Sequence, residues 1–543
     1  MSTKPTIRKG RFTRGTGIAA SAVLLAMSLA ACGSGSAADK ARTDPDTLQI
    51  LAGSELKDIG HVLEAAAQET GVRVRFDYTG TLEGTQTVAG GAADGKYDAV
   101  WFPSNRYLTL LPGAKDKVAS ATKIMTSPVI LGVKSKVAAK LGWDTKAPTW
   151  AEISDAATKG DFRYGMTSPA ASNSGFSALV AVATGLANTG NSLTPENIKE
   201  FTPALKGFFA GQKLTAGSSG WLSDKFVTST DVDGIINYES IVSSLDTSKL
   251  GDTLTMVTPA DGVITADYPL SILSAASEAK KAKAETLTQW LLKPSTQQTI
   301  MESTSRRPAV PGVALTDKFS KQALVEQPFP NTLTVANQLI ESYLGTIRRP
   351  AQTVFSLDTS GSMDGNRIAQ LKTALKNLSG ADASTTGSFA SFQTRERVTL
   401  IPFNDRVGEP NRFTIPETGK EAELGRISSA VSGYNAQGGT AIYDSLVRSL
   451  EEAEAQAADN PDTFTSIVLM TDGENRDGAN LAAFKSYYAG LSGKAKQIPV
   501  FVIIFGEGNA KELQEVATMT GGKAFDARNS DLNPVFREIR GYQ

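Results

Sequence analysis

The chain has 543 residues, 41% of them hydrophobic and 20% charged, a composition that excludes wholesale disorder. It carries 55 basic and 56 acidic residues, so there is no basic excess to hold nucleic acid, and none is expected as a partner. One His and one Cys exclude a His-based or four-cysteine zinc site and any intramolecular disulfide. They also leave almost nothing for Ser-His-Asp or Cys-His chemistry, so the chain reads as no enzyme. The sole histidine, His61, lies in a helical apolar–polar stretch and is read as structural.

The first segment reads as an address. Lys4, Arg8, Lys9, Arg11 and Arg14 precede an apolar run from Ile18 to Ala31 that is short for a spanning helix. It ends in Leu29-Ala30-Ala31-Cys32-Gly33. These residues resemble a bacterial lipoprotein signal with its lipobox. The resemblance implies that residues 1–31 are removed. It also implies that Cys32 is diacylated and holds the protein on the extracytoplasmic face of the cell membrane. Residues 32–46, with their Gly-Ser-Gly-Ser start, read as a flexible tether. No later apolar run is long enough to span a bilayer, so lipid is the expected attachment.

Residues 47–313 alternate strands with helices. Leu48-Gln49-Ile50-Leu51, Val72 to Phe76 and Tyr97 to Phe102 read as strands, each followed by a small polar turn: Ser54-Glu55, Thr79-Gly80-Thr81, Ser104-Asn105. Such alternation predicts parallel βαβ units, whose ligands bind at the carboxyl ends of the strands. The grammar repeats at Tyr164-Gly165-Met166, at Ser172-Asn173-Ser174-Gly175 before an apolar helix from Phe176 to Ala187, and at Ile235-Ile236-Asn237-Tyr238-Glu239. Tyr268-Pro269, the helix around Trp290 and Arg306-Arg307-Pro308 close the region.

The whole resembles a two-lobed extracellular solute-binding protein, periplasmic-binding-protein-like in fold. This implies one lobe from Thr47 to about Ser127 plus about Ile264 to Val313, and a second lobe between. Crossings are expected near Ser127-Pro128-Val129 and Asp267-Tyr268-Pro269. A small solute would sit between the lobes against Ser54, Thr81, Ser104, Ser174 and Tyr238. Glu55, Glu83 and Glu239 oppose an anion and favour a cation, polyol or zwitterion, unless they serve only as first-turn helix acids. Residues 314–350, with Pro328 and Pro330 and a helix from Thr332 to Leu344, read as a linker.

In residues 351–543 a buried-strand pattern, Thr353 to Leu357, runs straight into Asp358-Thr359-Ser360-Gly361-Ser362. A helix follows with Ile368, Leu371, Leu375 and Leu378 on one face. Gly438-Gly439-Thr440 opens another helix, and the strand Ser466 to Met470 ends in Thr471-Asp472-Gly473. Three loops thus offer carboxylate and hydroxyl oxygens at one sheet edge, a donor set that suits a hard divalent cation. Asn404-Asp405 reads as a turn near the rim.

The residues resemble the metal-ion-dependent adhesion site of a von Willebrand factor type A (VWA) domain, Rossmann-like in fold. The resemblance implies that Asp358, Ser360, Ser362, Thr440 and Asp472 hold Mg2+ or Mn2+. It further implies that an open metal position accepts a carboxylate from a partner protein. The expectation is a membrane-anchored protein with a solute-binding module and a metal-dependent protein-binding module. The alternative is the receptor of an ABC importer with an accessory VWA domain.

Overall fold

The computed structural model describes residues 44–320, 323–506, 508–528 and 532–543. The expected signal segment, Cys32 and most of the tether lie outside the described residues.

Three sheets organise residues 45–543. The first contains β1 (Thr47–Ala52), β2 (Arg73–Tyr78), β3 (Ala99–Trp101), β4 (Val118–Lys123) and, from far along the chain, β11 (Pro269–Leu273), in the order β2-β1-β3-β11-β4. β1 is parallel to β2 and β3, whereas β11 is antiparallel to β3 and β4. The alternating charges of β2 suit its place at the edge, where one face and one backbone side meet water.

The second sheet is built on β5 (Met125–Lys134), which is antiparallel to β8 (Gly234–Tyr238) and β9 (Leu254–Val257). Short strands β10 (Thr265–Ala266) and β12 (Arg307–Pro308) also pair with β5. β6 (Tyr164–Thr167) runs parallel to β8 and to β7 (Gln212–Ala216). The chain crosses between these two sheets at Ile124, a few residues before the expected 127–129, and again at Asp267–Tyr268. At the second crossing Tyr268 takes a φ of 39°, costly for a residue with a side chain, and the indole of Trp101 donates to its carbonyl at 2.9 Å.

The third sheet has the order β15-β14-β13-β16-β17-β18, namely Asn411–Thr414, Arg397–Phe403, Ala351–Asp358, Phe464–Thr471, Val500–Ile504 and Ala524–Asp526. All its pairings are parallel except β14 with β15. β13 and β17 are buried along their whole length because helices cover both faces, which is why they read as near-continuous apolar runs.

The stretch expected to be a linker is not a free connector. Val263 and Glu326 form a β-bridge, and the Gln327 amide donates to the Val263 carbonyl at 2.9 Å. The helix Leu333–Ser342 and the π-helical turn Tyr343–Ile347 follow, with the Tyr343 ring 5.0 Å from that of Phe209 on the second sheet's flank. One apolar cluster runs through the first two sheets and this helix. A second joins the outer side of the second sheet (Leu222, Phe226, Ile235) to one face of the third (Phe355, Phe536), and a third cluster covers that sheet's other face.

Candidate functional site

β13 is buried to its last residue, so Asp358 emerges where the strand leaves the sheet, itself fully buried. One carboxylate oxygen accepts the Ser360 amide at 2.9 Å and the other the Thr471 hydroxyl at 2.7 Å. The Ser360 and Ser362 hydroxyls are 3.1 Å apart. Backbone bonds stitch this turn to the loop before the helix Ile442–Asp459: Gly361 N–H donates to the Gly438 carbonyl at 3.0 Å, and Gln437 N–H to the Thr359 carbonyl at 2.8 Å.

That second loop is held in turn by Asp477, whose carboxylate accepts the Thr440 amide at 2.8 Å. A Cβ on Gly439 would come 1.8 Å from the same carboxylate, so a side chain there would push Asp477 off the Thr440 amide. Asp472 follows Thr471 at the end of β16. The structure therefore brings Asp358, Ser360, Ser362, Thr440 and Asp472 to one carboxyl edge of the third sheet. Asp358, Ser360, Thr440 and Asp472 are buried and Ser362 is exposed, which puts the open side of the cluster at Ser362.

Burial pushes the Asp358 carboxyl above its ordinary range, hydrogen bonds from Ser360 and Thr471 oppose that, and the Asp472 charge adds to the rise. Arg367 answers this local excess of negative charge. Its guanidinium lies 2.7 Å from Asp472 and 3.1 Å from the Ser362 carbonyl. Two carboxylates and three hydroxyls, with a cation already drawn to them, fit a hard divalent ion.

Sequence reading missed Arg367, Thr471 and Asp477. Only Thr471, next to Asp472, had a local signal. Asn404 and Asp405 stand beside Gly438 at the rim. The Asn404 side chain accepts the Arg406 amide at 3.1 Å, which is turn chemistry, while its carbonyl accepts Ala441 N–H at 2.7 Å.

In the two-lobed part, Ser54, Thr81 and Ser104 follow β1, β2 and β3 at one carboxyl edge. Ser174 and Tyr238 lie at the corresponding edge of β6 and β8. The edges meet: a Cβ on Gly80 would come 3.0 Å from the Ala171 carbonyl. Several of the expected contact groups are already engaged. Ser104 accepts the Arg106 amide at 3.2 Å, Tyr238 accepts from the Asn173 amide at 2.9 Å, and Ser174 joins hydroxyls of Thr167, Ser172 and Ser219.

All three turn acids stand in helix first turns, the second of the two roles the sequence left open, and two of them have ion-pair partners. Glu239 is a buried bidentate partner of Arg307 at 2.7 and 2.8 Å, and Glu83 pairs with Arg537 at 2.6 Å. Glu55 remains at the seam, where burial raises its carboxyl above the ordinary value and Arg306 partly offsets this. Fully buried Arg306 bonds Asp58 at 2.6 Å and lies over the Tyr268 ring. His61 is exposed on the helix Gly60–Thr70.

Comparison with known proteins agrees with this division. Residues 48–303 match the bacterial extracellular solute-binding protein family, and residues 353–538 match the von Willebrand factor type A domain. An uncharacterized Synechocystis protein is 26% identical over 194 residues, covering 35% of this chain and 41% of that protein. Inter-alpha-trypsin inhibitor heavy chain H4 of Sus scrofa is 30% identical over 128 residues, covering 23% of this chain and 12% of its own. The chain thus spans less than half the length of either relative.

Among solved structures, the periplasmic binding protein AfuA from Actinobacillus pleuropneumoniae covers 55% of this chain and 98% of its own at 14% identity, with a TM-score of 0.44. Iron-bound HitA from Pseudomonas aeruginosa gives the same coverage, identity and score. The chain joins an extracellular solute-binding domain, built on the first two sheets, to a C-terminal VWA domain built on the third.

Proposed function

We propose that this is a lipid-anchored extracytoplasmic binding protein, not an enzyme, with one module for a small solute and one for a protein partner. In the VWA domain, Asp358, Ser360, Ser362, Thr440 and Asp472 hold Mg2+ or Mn2+. Two acid ligands leave the ion able to accept a further carboxylate, supplied by the partner. The observation that supports this best is the convergence of two carboxylates and three hydroxyls from three hydrogen-bonded loops, with Ser362 on the open side. The anchor is Cys32.

Calorimetry with Mg2+ and Mn2+ on the full-length protein tests the metal reading. Wild type binds and Asp358→Asn does not, whereas equal affinities sink it. A pull-down from the native membrane fraction should lose its partner in EDTA and regain it with Mg2+. Cys32→Ala should release the protein from membranes or block its processing. Unchanged retention together with unchanged mass removes the anchor.

A further inference from the structure

The last helix of the chain, Leu532–Tyr542, belongs to the VWA domain yet lies along the mouth of the two-lobed domain. On the VWA side it is fastened firmly. Arg540 donates to both oxygens of buried Glu396 at 2.7 Å, and the Tyr542 ring stacks on Phe501 with centroids 5.2 Å apart.

Against the second lobe it packs backbone to backbone. A Cβ on Gly541 would come 2.7 Å from the Gly217 Cα and 3.0 Å from the Ala171 Cβ, and one on Gly217 would come 3.0 Å from the Glu538 carbonyl. Gly217 and Ala171 follow β7 and β6, so this is the carboxyl edge of the second lobe. From the same helix Arg537 reaches the first lobe, with its guanidinium 2.6 Å from Glu83 and 3.4 Å from Asp382 of the VWA domain. Glu83 stands in the first turn of the helix that begins just after Gly80, where the lobes touch. One helix of the second module therefore grips both lips of the first.

We infer that the C-terminal VWA helix is a strap that holds the two lobes closed, with Glu83–Arg537 as its latch, so that solute exchange requires the VWA domain to release its grip. The two lobes already share one apolar cluster, so the strap adds to packing that joins them. The contact between helix and second lobe is a broad glycine-to-glycine seat, whereas the latch to the first lobe is an ion pair only partly exposed to water. The inference rests on reading the seam between lobes as the solute site only for its consequence. Closure itself is a property of the chain without solute.

Hydrogen–deuterium exchange on the full-length protein without added solute tests it, read at the seam segments 79–85 and 168–175. Arg537→Ala and Glu83→Ala should each speed exchange there by about twofold to fivefold, the range for losing a partly exposed ion pair. The double variant should be no faster than either single one, and Arg537→Lys should stay near wild type. Amides of β13 and β16 should not change in any of them. Unchanged seam exchange in either single variant, or a double variant whose effect is the sum of the two, overturns the strap. A strap that passes while no solute is ever found would leave the closure intact and remove the solute reading instead.

Discussion

Arg367 sits 2.7 Å from Asp472, so the acid that sequence reading assigned to a metal already has a cation at its side. The carboxylate is buried and the guanidinium partly exposed, so arginine can swing out where the aspartate cannot. Arg367 should therefore compete with a divalent ion. Replacing it with Ala should raise Mg2+ affinity about two- to fivefold, because a half-exposed ion pair contributes about 0.2–1 kcal/mol. Calorimetry on the full chain checks this, and an unchanged or weaker affinity counts against competition.

Asp358 serves the fold as well as the site. Removing its side chain leaves the Ser360 amide and the Thr471 hydroxyl without their acceptor in a buried turn. Asp358→Ala should cost about 1–3 kcal/mol in metal-free urea unfolding. Asp358→Asn keeps one acceptor oxygen and should cost distinctly less, although both should abolish the proposed metal binding. Equal stabilities of the two variants would show that those hydrogen bonds matter little.

Glu396 is the acid between two arginines from distant parts of the chain. Arg348, at the end of the connecting segment, and Arg540, in the last helix, both donate to it, and the Gln393 amide adds a bond at 3.0 Å. Glu396→Ala leaves two buried guanidinium groups without their carboxylate, although both keep carbonyl partners, and should cost about 3–5 kcal/mol in chemical denaturation. A loss below about 1 kcal/mol would mean that the carbonyls around Arg348 and Arg540 suffice to hold them.

Glu55 gives a pH signature. Burial lifts its folded-state pKa above the ordinary 4.5, and the nearby Arg306 offsets only part of the rise. The fold thus prefers the neutral acid. That contribution is fully present below the unfolded pKa and is lost as pH rises through the raised folded value. Glu55→Gln, neutral at every pH, should melt higher than wild type at pH 7, and the gap should close below about pH 4. A gap that persists unchanged in acid would mean that packing, not charge, is responsible.

The strands of the VWA sheet were legible because burial on both faces writes continuous apolar runs, and Asp358 was legible because such a run stops at it. Arg367 was not, since its reach back to Asp472 depends on how the helix after the turn is aimed, not on the local pattern. The role of the acids at the turns was left open by the sequence for a related reason. Glu239 and Glu83 find Arg307 and Arg537, which lie 68 and 454 residues away along the chain. No local grammar shows such a partner. The connecting segment looked like a linker because its prolines and short helix say nothing about the apolar face that Phe209 offers to Tyr343.

The place of β11 in the first sheet sets an order of assembly. It lies between β3 and β4, and β4 has no other strand neighbour in the sheet order, so residues 118–123 cannot be paired until residues 269–273 arrive. Almost the entire second lobe is threaded out and back in the interval. As the chain emerges during synthesis, the lobe that begins first must therefore be completed late. Its half-built sheet, with the β3 edge open, must be kept from pairing with a neighbouring chain until the returning strand closes it.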